Sequence, residues 1–502
     1  MDNLTHQQAS RFLDLATMGV RQSELDAFKL LDDRSVWINE QINQSYMSHL
    51  PQAQHQATTR NNGNVNQECR VGAWFDIALW DTAQLRQKVA FALSQIFVVS
   101  EKDANLAGDA EALANYYDVL VDNAFGNFEQ LLRRVTLSPA MGQFLTMNGN
   151  KPQGVTGQAP DQNYAREVMQ LFTIGLYELN LDGSPETNPD GTLMETYEDY
   201  DIENIARIFT GWDLDNGDTL VPMVADNTLH DTDEKWVFGH YYPPGQTAEE
   251  DLTQFIKQLS EHKNVAPFIS TLLIKRLTTS NPSTDYVYRV ASEFSNTGGD
   301  LQAVIKAIYT DPDTLLTNNT NMAKVREPIL AMTYLYRAME AYPGGNGDIV
   351  HNPMNYKESF NQYPLGANSV FNFYQPTHMP QGALTDQQLT APELEIIDWG
   401  QLINMNNIFY RTLKDFGQNR ENSSNKQELY VAPSDLESLA NSGNFEELLN
   451  AVNTRVLNGN ASPEVINLLT KVYDGHSQNN KFYAVHKMLF IAFVSPDFMV
   501  QE

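Results

Sequence analysis

Apolar residues recur at helical spacing along most of the chain. Segments such as "ASRFLDLATMG", "SELDAFKLLDD", "AQLRQKVAFALSQIFVVS", "EALANYYDVLVDNAF", "DLTQFIKQLSEH" and "DLQAVIKAIYT" fit a 3.6-residue repeat. Strand-like alternation is almost absent, so the pattern predicts a mostly α fold: a large helical domain with long irregular loops. The run from 85 to 99 is apolar on nearly every side after Lys88, which places that helix at the centre. Four stretches echo one another, "TLSPAMGQFL", "NVAPFISTLL", "YTDPDTLL" and "FVSPDFMV". Each proline suits a first helical turn, and in three of them a preceding Ser or Asp can cap that turn.

Turn-rich sequence is concentrated at 181–200, 213–250 and 341–369. Stretches of this length inside a domain usually carry function. A polar connector, "GQNRENSSNKQEL" at 417–429, divides a main helical part, 1–416, from a C-terminal helical part, 417–502, read as continuous with it.

The stretch "DQNYAREVMQLFTIGLYELN", 161–180, reads as one amphipathic helix with Asp161 as a candidate N-cap. At about 100° per residue, Tyr164, Val168, Leu171, Phe172, Gly175, Leu176 and Leu179 form a core face. Asn163, Arg166, Glu167, Gln170, Thr173 and Tyr177 fall on the other side. Either that side is an ordinary wetted face, or it is a polar cluster aimed at something buried.

Composition narrows the partners. The 502 residues include 63 acidic and 33 basic ones, a formal charge of -30, which argues against a nucleic-acid backbone or an anionic membrane. One cysteine, Cys69, leaves no intrachain disulfide and reads as core filler. The near-apolar run at 89–99 is too short to cross a bilayer, so no transmembrane segment is expected. The N-terminus lacks a basic region followed by an apolar run.

Candidate chemistry gathers in few places. "LHDTDEKWVFGH" brings His230, Asp231, Asp233, Glu234, Lys235 and His240 close in sequence, a set able to bind a metal or trade protons. The structural alternative ties His230 to Asp231 or to a backbone carbonyl. "DLDNGD", 213–218, resembles half a calcium loop, but the sixth and twelfth positions hold Asp218 and Val224, so an Asx-rich turn is preferred and no metal site is expected. No GxSxG elbow offers a nucleophile, and the absence of GxGxxG and Walker A patterns argues against nucleotide cofactors and leaves the cofactor question open. In "KVREPIL", Arg326 can pair with a carboxylate such as Glu167 or grip an anionic substrate. The aromatics of "SVFNFYQPTHMP" are read chiefly as core.

Taken together, "LRQKVAFALSQIFVVS", "YYDVLVDNAFGNFEQLLRRVTLSPAMGQFLTMNGN", "DQNYAREVMQLFTIGLYELN", "IENIARIFTGW", "HDTDEKWVFG", "KVREPIL", "FNFYQP" and "AFVSPDFMVQE" resemble the bacterial family known as domain of unknown function 1800. The likeness runs from about Arg11 to the C-terminus. It maps the family's characteristic positions onto Asn163, Tyr164, Arg166, Glu167, Gln170, Thr173, Gly175, Thr210, Gly211, Trp212, His230, Lys235, Gly239, Arg326 and Pro328. Similar proteins are commonly exported and often encoded beside a sulfatase-like family. The resemblance therefore implies a periplasmic or extracellular protein, with a removed leader reconciling that with the observed N-terminus.

Two functions follow as expectations. In the first, a hydrolase or transferase acts on a polar or anionic substrate. Glu167 serves there as acid or base, Arg166 and Lys235 stabilise negative charge, and His230 shuttles a proton. Asn163, Gln170, Tyr177, Trp212 and Arg326 bind the substrate. In the second, a non-catalytic binding or assembly protein works with a sulfatase-like partner. An enzyme should gather the charged set around one cleft, whereas a binding protein should bury it as satisfied pairs and expose an apolar patch elsewhere.

Overall fold

The computed structural model describes residues 4–31, 33–316, 323–343, 360–414, 429–431, 433–477 and 480–501. The fold is mostly α, as the periodicity predicts, and the strands among the described residues are two or three residues long and paired antiparallel. The helix Gln84–Ser94 lies at the centre, buried on every side from Gln87 to Ser94, with Lys88 sealed in as well. Arg34–Asn43, Ala110–Asn123 and Val265–Leu277 pack around it. One hydrophobic cluster extends from Ala9 to Phe498, and Cys69 is buried in the helix Gln67–Trp80.

The two ends of the chain meet. Arg11 Nη1 donates to the Gln501 carbonyl at 2.7 Å, and the strand Lys324–Val325 pairs with Val500–Gln501. Of the polar connector only Leu429 is among the described residues, and 344–359 of the third loop also lies outside them.

Two local expectations change. Pro139, Pro312 and Pro496 do open helical turns, but only Asp311 uses its side chain as a cap. Ser138 and Ser495 form no side-chain cap, whereas Pro267, third residue of the helix Val265–Leu277, does lie in a first turn. The stretch 213–250 is not wholly irregular: Trp212–Asp213 pairs with Val224–Ala225, and Lys235–Val237 with His240–Tyr242. Within the loop of the first hairpin "DLDNGD" folds as an Asx-rich turn, with Asp213 and Asp218 accepting from Leu214 N and Leu220 N at 2.8 Å each.

The stretch 181–200 also has order that its turn-rich composition hides. Asn180-Leu181-Asp182-Gly183-Ser184 and Asn188-Pro189-Asp190-Gly191-Thr192 are the same turn made twice, eight residues apart. In each, the aspartate accepts from the backbone and hydroxyl of Ser184 or Thr192, and the glycine takes a positive φ that other residues resist. The three connecting segments close a triangle of backbone bonds: Glu178 N donates to Met194 O (2.8 Å), Met194 N to Glu186 O (3.1 Å) and Glu186 N to Glu178 O (2.8 Å).

Candidate functional site

The 161–180 stretch is helical only over Asn163–Gln170. Asp161 accepts from Asn163 N at 2.8 Å and so holds the first turn. Beyond Gln170 the ladder changes to longer reaches: Phe172 N bonds to Glu167 O, and Ile174 N and Gly175 N both bond to Met169 O. Gly175 then turns the chain away with φ +72°, its α-carbon against the Phe268 ring. Asn264 secures the departing strand, donating to the carbonyls of Ile174 (2.7 Å) and Tyr177 (2.8 Å) and accepting from Leu179 N (2.8 Å). The wheel therefore fails past residue 170. Thr173, expected on the polar face, is fully buried, Leu176 is exposed rather than in the core, and Tyr177 does not belong to the helical face at all.

On the true helix, Tyr164 and Val168 are buried, Asn163 and Arg166 are exposed, and Glu167 and Gln170 are half-buried. Arg166 donates to Gln162 Oε1 at 3.1 Å. Burial pushes the Glu167 carboxyl above its usual range against the pull of Arg166, and its Oε2 has no hydrogen-bond partner among the described residues. Tyr197 lies in the field of both charges and also lines an open polar pocket of about 860 Å³, with Glu178, Glu195, Glu198, Asp201 and His262.

His230 and Lys235 occupy a different setting. The His230 side chain is wholly buried, with Nε2 3.0 Å from Asp251 Oδ2 and Nδ1 2.9 Å from the Thr210 carbonyl. Lys235 Nζ meets the same Asp251 oxygen at 2.8 Å and donates to the carbonyls of Asp231 (2.5 Å) and Asp233 (3.0 Å). Its three protons are thereby matched to three acceptors. Arg207 grips Asp231 with two bonds of 2.9 Å. Burial pushes the Asp231 carboxyl up, but Arg207 and Lys235 outweigh it and hold it below the usual range. The histidine is thus tied to a backbone carbonyl, as the structural alternative holds, but its carboxylate partner is Asp251, not Asp231.

The sequence Thr210-Gly211-Trp212 locks this knot to the helix Asp199–Ile208. Thr210 Oγ1 donates to the Arg207 carbonyl (2.7 Å) and accepts from Asp231 N (2.8 Å). Gly211, at φ +82°, passes so close that a Cβ would sit 2.7 Å from the Asp226 carbonyl oxygen. Trp212 is 2% exposed, so its indole is part of the core and not an open substrate contact.

Arg326 is equally enclosed. Its guanidinium makes a two-pronged bond to Asp14, with Nη2 to Oδ2 at 2.8 Å, and Nε donates to the Phe498 carbonyl at 3.1 Å. The rings of Tyr334 and Phe498, edge to face with each other, lie beside it at 4.5 and 4.4 Å. The expected partner Glu167 is not there, and no anionic substrate could reach the fork. Its neighbours in "KVREPIL" are buried too: Lys324 pairs with Glu393, and Glu327 accepts from Gln95 and Gln362. Of the aromatics at 369–380, Tyr374 is core, while Phe371 is 49% exposed.

The structure therefore separates the predicted set. No hydrogen bond or ion pair joins Arg166 or Glu167 to His230, Lys235 or Arg326 among the described residues. Asp251, Arg207 and Asp14 were missed as partners, although a signal existed for one. Asp251 shares the helical phase of Ala248, Leu252, Phe255 and Leu259, so a carboxylate stood in a core position and called for a buried cation. Groups of three or more His, Cys, Asp or Glu placed to hold a metal ion are absent among the described residues. So is any helix long and apolar enough to cross a membrane.

No curated protein and no solved structure matches the chain. A family model does, and it covers residues 11–500. With that match spanning the motif helix, the buried knot and the Arg326 fork alike, the chain belongs to the family described as protein of unknown function (DUF1800).

Proposed function

We propose that this chain is a non-catalytic binding or assembly protein of the cell envelope or exterior, with a sulfatase-like protein as the first partner to test. One observation carries the reading: of the groups best suited to chemistry, Lys235 and Arg326 are sealed into ion pairs and His230 is held against the Asp251 carboxylate, with every partner almost fully buried. A side chain without exposed surface cannot touch a substrate, and a paired buried charge holds elements together instead. The test is paired. Capture of the purified sulfatase-like protein by the full chain should persist in Glu167→Gln, and no hydrolase or transferase turnover should depend on Glu167. Turnover by the wild type that disappears in a Glu167→Gln variant of unchanged melting temperature would overturn the reading.

That last outcome would favour the second reading, a hydrolase or transferase acting on a polar or anionic substrate. Its support is Glu167 itself, a half-buried carboxyl pushed upward, with one unpartnered oxygen, beside the Tyr197 wall of the polar pocket. An acid of that kind can protonate a leaving group near neutral pH. Arg166 would be the anion contact, since it alone of the predicted cations is exposed.

A further inference from the structure

The strand pair of Lys324–Val325 with Val500–Gln501 meets the turn Pro392–Glu395 and the start of the helix Trp399–Lys414. Here Val325, Leu389, Leu394, Leu402, Val494 and Met499 wall an open groove of about 600 Å³. Trp399 stands at its lip, 83% exposed, and Ile403, one turn on, is 58% exposed. Tyr410 continues the exposed stripe two turns further along the same helix. Scattered exposed apolar side chains are ordinary, but a groove continuous with an exposed helical stripe marks a contact surface.

Charge selects the occupant. The buried cation at the groove, Lys324, is closed against Glu393 and donates to the Lys275 carbonyl at 3.1 Å. The rim carries carboxylates: Asp398 lines the groove, and Asp386 and Glu395 are exposed on the neighbouring segments, while the half-buried Lys275 is turned to the Pro376 carbonyl at 3.1 Å. An anionic amphiphile would bring its carboxylate to carboxylates. A segment that flanks apolar residues with lysines or arginines would find both of its faces matched.

We propose that this groove docks an amphipathic, basic helix of a partner protein, its apolar residues against Val325, Leu402 and Met499 and its cations against Asp386, Glu395 and Asp398. The proposal rests on the binding-protein reading and names the face that binds. Fluorescence anisotropy on the full chain tests it with four labelled probes: an amphipathic Leu/Lys helical peptide, a Leu/Glu peptide with the same apolar face, a Ser/Lys peptide of the same charge, and hexadecanoate. The Leu/Lys peptide should bind roughly tenfold or more tighter than the other three. Trp399→Ser and Ile403→Ser should each weaken it by roughly tenfold, as removal of an interface anchor does, with the melting curve unchanged. Asp398→Asn should weaken it more at low than at high salt.

Equal binding of the Ser/Lys peptide would reduce the effect to attraction by the -30 charge and overturn the proposal. So would tighter binding of the Leu/Glu peptide or hexadecanoate, absence of binding, or a wild-type dimer that Trp399→Ser converts to monomer. Failure here with capture of the sulfatase-like protein intact would move the docking face elsewhere and leave the binding reading standing. Turnover lost in Glu167→Gln would remove that reading while leaving the peptide result as measured.

Discussion

Lys88 shows how a single residue exposes what a fold tolerates. It sits at the centre of the molecule, where burial pushes its amine down to about 8, opposed by Glu327 and Asp14 and reinforced by Lys324 and Arg326. Because the folded value lies below the unfolded one, the cost of holding the ammonium is fully present below pH 8. It is relieved as pH rises from about 8 toward the ordinary lysine range, so urea melts should show stability climbing over that interval. By the same logic Lys88→Met should be more stable than the wild type at pH 7, by on the order of 1–3 kcal/mol, and a loss of stability instead would mean that the ammonium holds Glu327 and Asp14 together. Glu167 and Asp251 should behave as opposites. Glu167 has no ion-pair partner among the described residues, so Glu167→Gln should change stability by less than about 1 kcal/mol, whereas Asp251→Asn strips Lys235 and His230 of their shared carboxylate and should cost about 3–5 kcal/mol in a chemical melt.

At the scale of elements, the short motif helix marks where sequence reasoning ran well and where it stopped. Helical periodicity identified the class and the central Gln84–Ser94 helix because burial of apolar faces is what makes those helices. It could not end the 161–180 helix, because the residues that end it act from elsewhere: Asn264 and Phe268 belong to a later loop and helix and meet the chain only in three dimensions. Gly175 was the local clue and was placed on a helical face instead of at a turn. The eight-residue repeat of Asn-x-Asp-Gly-Ser/Thr was fully visible in the sequence and was passed over because its composition looked like loop. Gly211→Ala tests another tight element end. A methyl group there would press on the Asp226 carbonyl oxygen in a backbone conformation that alanine resists, so a loss of about 2–4 kcal/mol is expected from thermal melts, with the His230 knot opening first in hydrogen exchange.

Across the whole molecule, the candidate site was legible as a list of residues but not as a geometry. Asp14 and Arg326 are 312 positions apart, and nothing in the spacing of either says that they meet. Their pairing should be tested as a cycle: Arg326→Met alone should cost about 3–5 kcal/mol by leaving Asp14 buried and unpaired, and Asp14→Leu added to it should restore much of the loss. The pair also belongs to a larger closure, in which Arg11 reaches the Gln501 carbonyl and residues 324–325 pair with 500–501. A chain made from its first residue onward would display its opening helix, with Asp14 uncovered, until residues 498–501 emerged to seal it. A closure between segments 490 positions apart must form by long-range encounter, so it should be a late and slow step of folding, and a chain caught before it would bare an unpaired carboxylate and an apolar helix to its neighbours.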